Sequence, residues 1–232
     1  GRAEQWDAGV SIGAWRSGGS LNTAQRGQHA AVGTSTTTLV FGGYDGEGHT
    51  GGTETYDGTT FFEVNDLNTS RQALGGLGTP TAALAIGGFT PGDTNQDRNE
   101  LWNGYVWTEV NDMNLSRFNG GEGGTSTAGL MFGGQRFGGP GVEDETETWN
   151  GSAWTEVNEA NTARRHGGEF GSTTVGIAAS GFISPGGRAP NVEYWDGTNW
   201  TEVNSMNGAR DFLAGSGTDN EAALALNSIL YK

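Results

Sequence analysis

The chain has no cysteine. That excludes a disulfide framework, a thiol nucleophile and any thiolate metal site. Proline is scarce at 5 residues, which removes collagen-like and proline-rich low-complexity architectures. Basic residues are outnumbered, with 12 Lys and Arg against 27 Asp and Glu and a formal net charge of −15. A chain of this sign repels phosphate polyanions, so nucleic acid and an anionic membrane surface are excluded as expected partners. No apolar run approaches the ~20 residues of a spanning helix, so no membrane insertion is expected. The opening Gly1-Arg2-Ala3-Glu4 has none of the apolar core of a signal peptide. Only three histidines occur, His29, His49 and His166, in unlike positions. They leave little for a histidine metal cluster or a base-driven nucleophile.

What is abundant is glycine, 43 of 232 residues, against a usual share of about 7%. It is spaced between short β-branched and aromatic runs, the composition of thin strands and tight turns. A phrase recurs: Trp102-Asn103-Gly104 with Trp107-Thr108-Glu109-Val110-Asn111, then Trp149-Asn150-Gly151 with Trp154-Thr155-Glu156-Val157-Asn158. A third copy is Trp195-Asp196-Gly197 with Trp200-Thr201-Glu202-Val203-Asn204. Tyr56-Asp57-Gly58 with Phe61-Phe62-Glu63-Val64-Asn65 is a diverged copy, and Trp6-Asp7 with Trp15 a ragged one. The leading aromatics stand at 6, 56, 102, 149 and 195, a period of 46 to 50 residues. Self-similarity at this spacing marks a repeat architecture.

Each period holds four strand candidates: a small glycine-rich one, an apolar run such as Leu84-Ala85-Ile86 closing on Gly87-Gly88, a Glu-x-aromatic and a Trp-Thr-Glu-Val. Asn150-Gly151 and Asp196-Gly197 are tight-turn dipeptides between the third and fourth. Four short strands per period is one propeller blade. The chain opens on a third-and-fourth-strand pair and ends on a first-and-second-strand pair. Joining them completes a fifth blade and hides two sheet edges. The expected fold is therefore all-β, one domain over 1–232: a five-bladed β-propeller of four-stranded blades, its ring closed by N-terminal and C-terminal half-blades.

An arginine (Arg26, Arg71, Arg117, Arg164, Arg210), an apolar strand into Gly-Gly, an aromatic, and Trp about five residues later resembles the kelch repeat over essentially the whole chain. The wording Trp-Asp-Gly-x-x-Trp-Thr-Glu-Val-Asn with Leu-Asn-x-x-Arg also looks like glycine-rich kelch-like proteins of marine bacteriophages and bacterial surfaces. The departures are Asn227-Ser228 in place of Gly-Gly and the longer Asp7-to-Trp15 connection, both in the closing blade. The resemblance implies an extracellular or virion-surface location and a tail-fibre or surface adhesion role. Kelch-type copper oxidases need a Cys–Tyr crosslink, which a cysteine-free chain cannot form. The Asp-Gly turns here are not sialidase Asp boxes, where another residue separates Asp from Gly.

Trp102, Trp107, Trp149, Trp154, Trp195 and Trp200 offer flat apolar faces of the kind that stack on sugars, but their recurrence in register points to packing between blades. The five arginines are expected to tie loops to neighbouring blades through carbonyls or through Glu63, Glu109, Glu156 and Glu202. Asn65, Asn111, Asn158 and Asn204 end strands and are expected to hold turns.

The connection from second to third strand varies in length and content, and up-and-down order puts all copies on one face. Variable loops on a rigid scaffold are where recognition sits. The candidate ligand-binding residues there are Tyr44, Asp45, His49, Arg98, Arg136, Phe137 and Arg188. Asp93, Asn95 and Asp97 alternate oxygen ligands in the manner of a calcium loop, without its turn glycine or distal glutamate. No other cofactor is expected, and no catalytic residue stands out. The functional expectation is a non-enzymatic module that binds a glycan or protein on a cell surface, or sister virion proteins. The alternatives are a structural decoration protein of a larger particle and, more distantly, an enzyme acting on polysaccharide.

Overall fold

A computed structural model describes residues 2–7, 14–23, 27–92, 94–139, 141–217 and 223–227. Among these the regular structure is all β-strand, and no helix is long and apolar enough to cross a membrane. β1 (Arg2–Asp7) and β2 (Ala14–Ser20) form an antiparallel pair. The first four-stranded sheet contains β3 (Ala30–Gly33), β4 (Thr38–Phe41), β5 (Thr53–Tyr56) and β6 (Phe61–Val64). The second begins with β7 (Gly75–Thr79) and β8 (Ala82–Ile86). A short hairpin, β9 (Phe89–Thr90) and β10 (Thr94–Asn95), precedes its remaining strands, β11 (Asn99–Trp102) and β12 (Trp107–Val110). The third is β13 (Gly121–Thr125), β14 (Ala128–Phe132), β15 (Thr146–Trp149) and β16 (Trp154–Val157). The fourth starts with β17 (Gly168–Gly171) and β18 (Gly176–Ala179). After the small hairpin β19 (Phe182–Ile183) and β20 (Gly187–Arg188) come β21 (Val192–Trp195) and β22 (Trp200–Val203). β23 (Leu213–Gly217) and β24 (Ala223–Asn227) form a final antiparallel pair.

Each four-stranded sheet is antiparallel and runs in chain order from inner to outer strand. The inner strands β3, β7, β13, β17 and β23 pack side by side in that sequence, which makes the array propeller-like. Close approach explains their small residues: a Cβ on Gly123 would lie 2.6 Å from the backbone of Gly171 in the next inner strand.

The core lies between sheets. Phe41 of the first sheet meets Trp107 of the second at 4.9 Å between ring centroids, and Phe132 of the third meets Trp200 of the fourth at 4.7 Å. The indole N–H groups of Trp107 and Trp200 donate across the same seams to Thr53 Oγ1 at 3.1 Å and Thr146 Oγ1 at 3.0 Å. All six repeat tryptophans are buried. Aromatics fill these seams because each removes a large apolar area; the Trp107 and Trp200 indoles also find acceptors, whereas the buried Trp154 N–H has none.

The outer hairpins differ from a plain Asn-Gly turn. Gly104, Gly151 and Gly197 occupy the first central position with φ of 94°, 90° and 92°, the pattern of a type II′ turn. The preceding residue caps the turn instead of entering it: Asn103 Oδ1 accepts from Tyr105 N and Val106 N at 3.0 Å. Asn65 and Asn111, by contrast, hold the turn of the neighbouring sheet and not their own. Their amides reach the next sheet, donating to Tyr105 O at 2.7 Å and Ser152 O at 2.8 Å.

The two terminal pairs dock at opposite ends of the array. Leu21, just after β2, packs on Val40, Tyr56 and Phe61 of the first sheet. Asn22 N donates to Glu54 Oε2 at 2.8 Å, as Asn68 N does to Glu100 Oε2 at 2.7 Å between the first two sheets. β1–β2 therefore meets the first sheet as an outer strand pair. β23 packs against β17 as an inner one.

Candidate functional site

The framework around the loop face is built from buried charge. Arg71 Nη2 lies 3.4 Å from Glu100 Oε1, Arg117 Nη2 lies 2.6 Å from Glu147 Oε1, and Arg164 pairs with Glu193, all fully buried. The partners are the third-strand glutamates. Glu63, Glu109, Glu156 and Glu202, the expected ones, are exposed on outer strands. Position in the sheet is the cause: Glu147 and Glu156 are register partners on one face, but Glu147 stands on the third strand, where Asn114, Leu115 and Arg117 cover it, while Glu156 stands on the outermost, solvated strand.

Each arginine also joins two sheets. The carbonyl of Arg117 accepts from Gly88 N of the second sheet at 2.9 Å, while its guanidinium enters the third. The asparagine three residues earlier completes the unit: Asn114 N and Nδ2 donate to Glu147 Oε2 at 2.8 and 2.9 Å. A carboxylate with this many donors holds its buried charge without a solvent shell. Arg26 lies outside the described residues. Arg210 departs from the pattern, because its carbonyl accepts from Gly181 N at 2.8 Å but its side chain is exposed.

The variable connections and the segments leading into inner strands lie together, joined by bridges Gly27 to Tyr44, Gln72 to Phe89, Phe118 to Gln135 and Arg165 to Phe182. The sequence-derived candidates are distributed over this face. Tyr44 and Phe137 are exposed, and His49 stacks edge-on against Phe89 at 5.2 Å. Asp45 Oδ1 caps its own turn through Glu47 N and Gly48 N, both at 2.9 Å. Arg136 holds Glu143 through two bonds of 3.0 and 3.2 Å, and Arg188 holds Asp211 at 2.7 Å. Arg98 donates to Thr69 Oγ1 at 3.2 Å and stands 3.9 Å from Glu109 on the outermost strand, away from the inner strands.

Asp93 is outside the described residues. Asn95 clamps a neighbouring loop, donating to Phe137 O at 3.1 Å and accepting from Phe137 N at 2.9 Å. The Asp97 carbonyl accepts from Met113 N and Asn99 Nδ2, both at 2.9 Å. Among the described residues no group of three or more His, Asp and Glu is placed to hold a metal ion.

None of those candidates lines the axial cavity, which opens where the inner strands begin. It has a volume of about 360 Å³ and is bounded by Gln28, His29, Asn119, Glu122, His166 and Phe212, among others. Five residues at one repeat position, two after each arginine, take left-handed backbone conformations: Gln28 (φ 52°), Ala73 (55°), Asn119 (55°), His166 (56°) and Phe212 (52°). All five border this cavity. The conformation lets successive segments join round the cavity, with Ala73 N donating to Gln28 O at 2.8 Å and Asn119 N to Ala73 O at 3.1 Å.

An L-residue held there costs roughly 1–2 kcal/mol, which glycine would not. Glycine fills most other positive-φ positions of this chain, yet these five carry five different side chains. Among the described residues the one further exception, Ser180, has a structural explanation, since its hydroxyl bonds Ala189 O at 2.7 Å and Arg210 O at 2.9 Å. Sequence reading missed the set because backbone φ is not written in residue type. The available signal was a variable residue at a fixed offset from a repeated arginine.

His166 stacks on Phe212 with centroids 4.1 Å apart. Burial pulls its imidazole from the ordinary 6.5 down to about 4, with Arg165 acting in the same direction and Asp211 opposing. The unfolded chain takes up this proton near 6.5 and the folded chain only near 4. Stability from this group is thus complete above the unfolded value and is lost as pH falls through the window down to the folded one. We expect the pH slope of the urea midpoint in that window to be shallower in His166→Asn, a residue that tolerates positive φ. Equal slopes would remove His166 as a source of acid sensitivity.

No protein-family model and no curated protein matches the chain.

Proposed function

We propose that this chain is a non-enzymatic recognition module, a kelch-like propeller of five blades, that engages a glycan or a protein through its loop face. The setting is a cell surface or a virion, where sister proteins are the other class of partner. One observation carries the reading. The repeated tryptophans, arginines and third-strand glutamates are consumed in buried seams and ion pairs, while the longest connections, which differ between repeats, gather on one face with Tyr44, Phe137 and Phe212 exposed. That face is braced by cross-sheet bonds such as Asn95 to Phe137, and a braced surface loses little entropy on binding.

The test is a binding screen of the purified chain on immobilised glycans and intact marine bacterial cells, with and without calcium. A hit that Phe137→Ala and Arg136→Ala weaken supports recognition through this face. No hit under either condition defeats it and leaves the decoration role within a larger particle.

Closure of the ring belongs to the same reading. β24 and β1 are the two edges that face an incomplete sheet, and the exposed Arg210 stands where Arg117 meets its glutamate. Pairing the two edges supplies the missing half of the fifth blade.

A further inference from the structure

We infer that the axial cavity bounded by Gln28, Asn119, Glu122 and Phe212 is a subsite for a single neutral sugar ring. The inference rests on the recognition reading above and gives it a location and a ligand class.

The chemistry of the wall selects the ligand. Gln28 and Asn119 each present both a donor and an acceptor, and Glu122 adds acceptor oxygens. Vicinal hydroxyls, which both donate and accept, match that mixture. Among the described residues that bound the cavity there is no lysine or arginine to compensate a carboxylate or phosphate ligand. Glu122, the carboxylate among the described residues that bound the cavity, is already approached by Gly76 N at 3.5 Å, a thin site for a cation. Phe212 supplies the apolar side that a pyranose C–H face needs, and it is exposed while His166 backs its ring. The volume of about 360 Å³ sits at the small end of ligand cavities, room for one ring and not for a chain.

The backbone supplies an independent reason. The bonds round the cavity require positive φ, but they do not require side chains. Glycine would meet the same geometry with less strain, so the five different residues at this position serve the cavity they border.

This separates binding from folding in one experiment. The probes are the methyl glycosides of glucose, galactose, mannose, N-acetylglucosamine and sialic acid, followed by saturation-transfer NMR and titration. We expect at least one neutral glycoside to bind and the anionic sialoside not to. Asn119→Gly and Phe212→Gly should weaken that glycoside by about tenfold or more, with the urea midpoint unchanged or raised. Tyr105→Ala, at an exposed outer turn away from the rim residues Phe137 and Arg136, should leave single-ring affinity within about twofold.

If glycans or cells bind and the rim variants abolish it while both glycine variants bind normally, the axial subsite is wrong and recognition stands. Preference for the sialoside overturns the ligand class. If no glycan, glycoside or cell binds at all, both readings fall together.

Discussion

Glu147→Ala should lower the unfolding free energy by about 3–5 kcal/mol, the cost of stranding one partner of a buried ion pair. The Arg117 guanidinium has no exposed surface, and burial already pulls its pKa down, with Glu147 the first group opposing that. Without the carboxylate, the charge stays in the seam with only the carbonyls of Gly133 and Glu145 as partners. Asn114 N, Asn114 Nδ2 and Leu115 N lose their acceptor at the same stroke. The damage spreads to two sheets, because the Arg117 carbonyl also anchors Gly88 N.

The contrast is Glu156→Ala. Glu156 stands opposite Glu147 in the hairpin register but is exposed, and its loss should change stability by no more than about 0.5 kcal/mol. Urea denaturation of both variants decides the matter. Equal effects would mean that the buried pair is not what fastens the third sheet to the second. Arg117→Met combined with Glu147→Met should recover part of the loss by removing the unpaired charge. Recovery stays incomplete, since Asn114 and Leu115 still lack their acceptor.

This pair also marks how far residue type alone carries. The period, the four strands per repeat and the Gly-Gly and Asn-Gly punctuation are local signals. The first sheet, β3 to β6, follows them as closely as the third does. The arginine's partner is a different kind of fact. Glu147 and Glu156 recur equally often and stand opposite each other on one sheet face, so periodicity and alternation cannot rank them, and only the segment Asn114 to Arg117, which covers the third strand and not the outermost one, does. The axial residues are further from view. Gln28, Ala73, Asn119, His166 and Phe212 share no chemistry, and their kinship is a backbone angle imposed by hydrogen bonds between consecutive segments. The loop candidates stand between these cases. Variability located Phe137 and Arg136 on the right face, but Arg98 is turned to the outer strand, since its partners Thr69 and Glu109 come from elements a sequence window does not join.

The proposed closure of the ring yields the other large effect. In the second sheet Trp102 pairs Ala83 and Leu101 pairs Leu84; in the first Tyr56 pairs Thr38 and Thr55 pairs Leu39. The inner-strand register aligns Ala223 with Ala83 and Leu224 with Leu84, because Gly217 pairs Ala223 as Gly78 pairs Ala83. Closing β24 onto β1 therefore sets Gln5 opposite Leu224 and Glu4 opposite Ala225, which brings Glu4 to the position that Glu100 and Glu147 hold in their sheets. Arg210 and Asn207, both exposed, then have the carboxylate that their counterparts Arg117 and Asn114 bind. The cysteine-free chain makes this directly testable. Opposed residues in antiparallel strands have Cβ atoms about 4.5–5.5 Å apart, within relaxation of disulfide geometry. Gln5→Cys with Leu224→Cys should crosslink within one chain on oxidation. Gln5→Cys with Leu226→Cys, two residues out of register, should not. A bridge that encloses nearly the whole chain stabilises by about 5 kcal/mol in the chain-entropy account, so the oxidised form should unfold at much higher urea than the reduced one. Deleting residues 1–20 should do the reverse, leaving β24 as an open edge that pairs with other copies and drives association. Crosslinking that is only intermolecular, or equal in both cysteine pairs, would show that the termini do not close the ring in this register. A deletion variant that stays monomeric and fully stable would show that the ring does not depend on them at all.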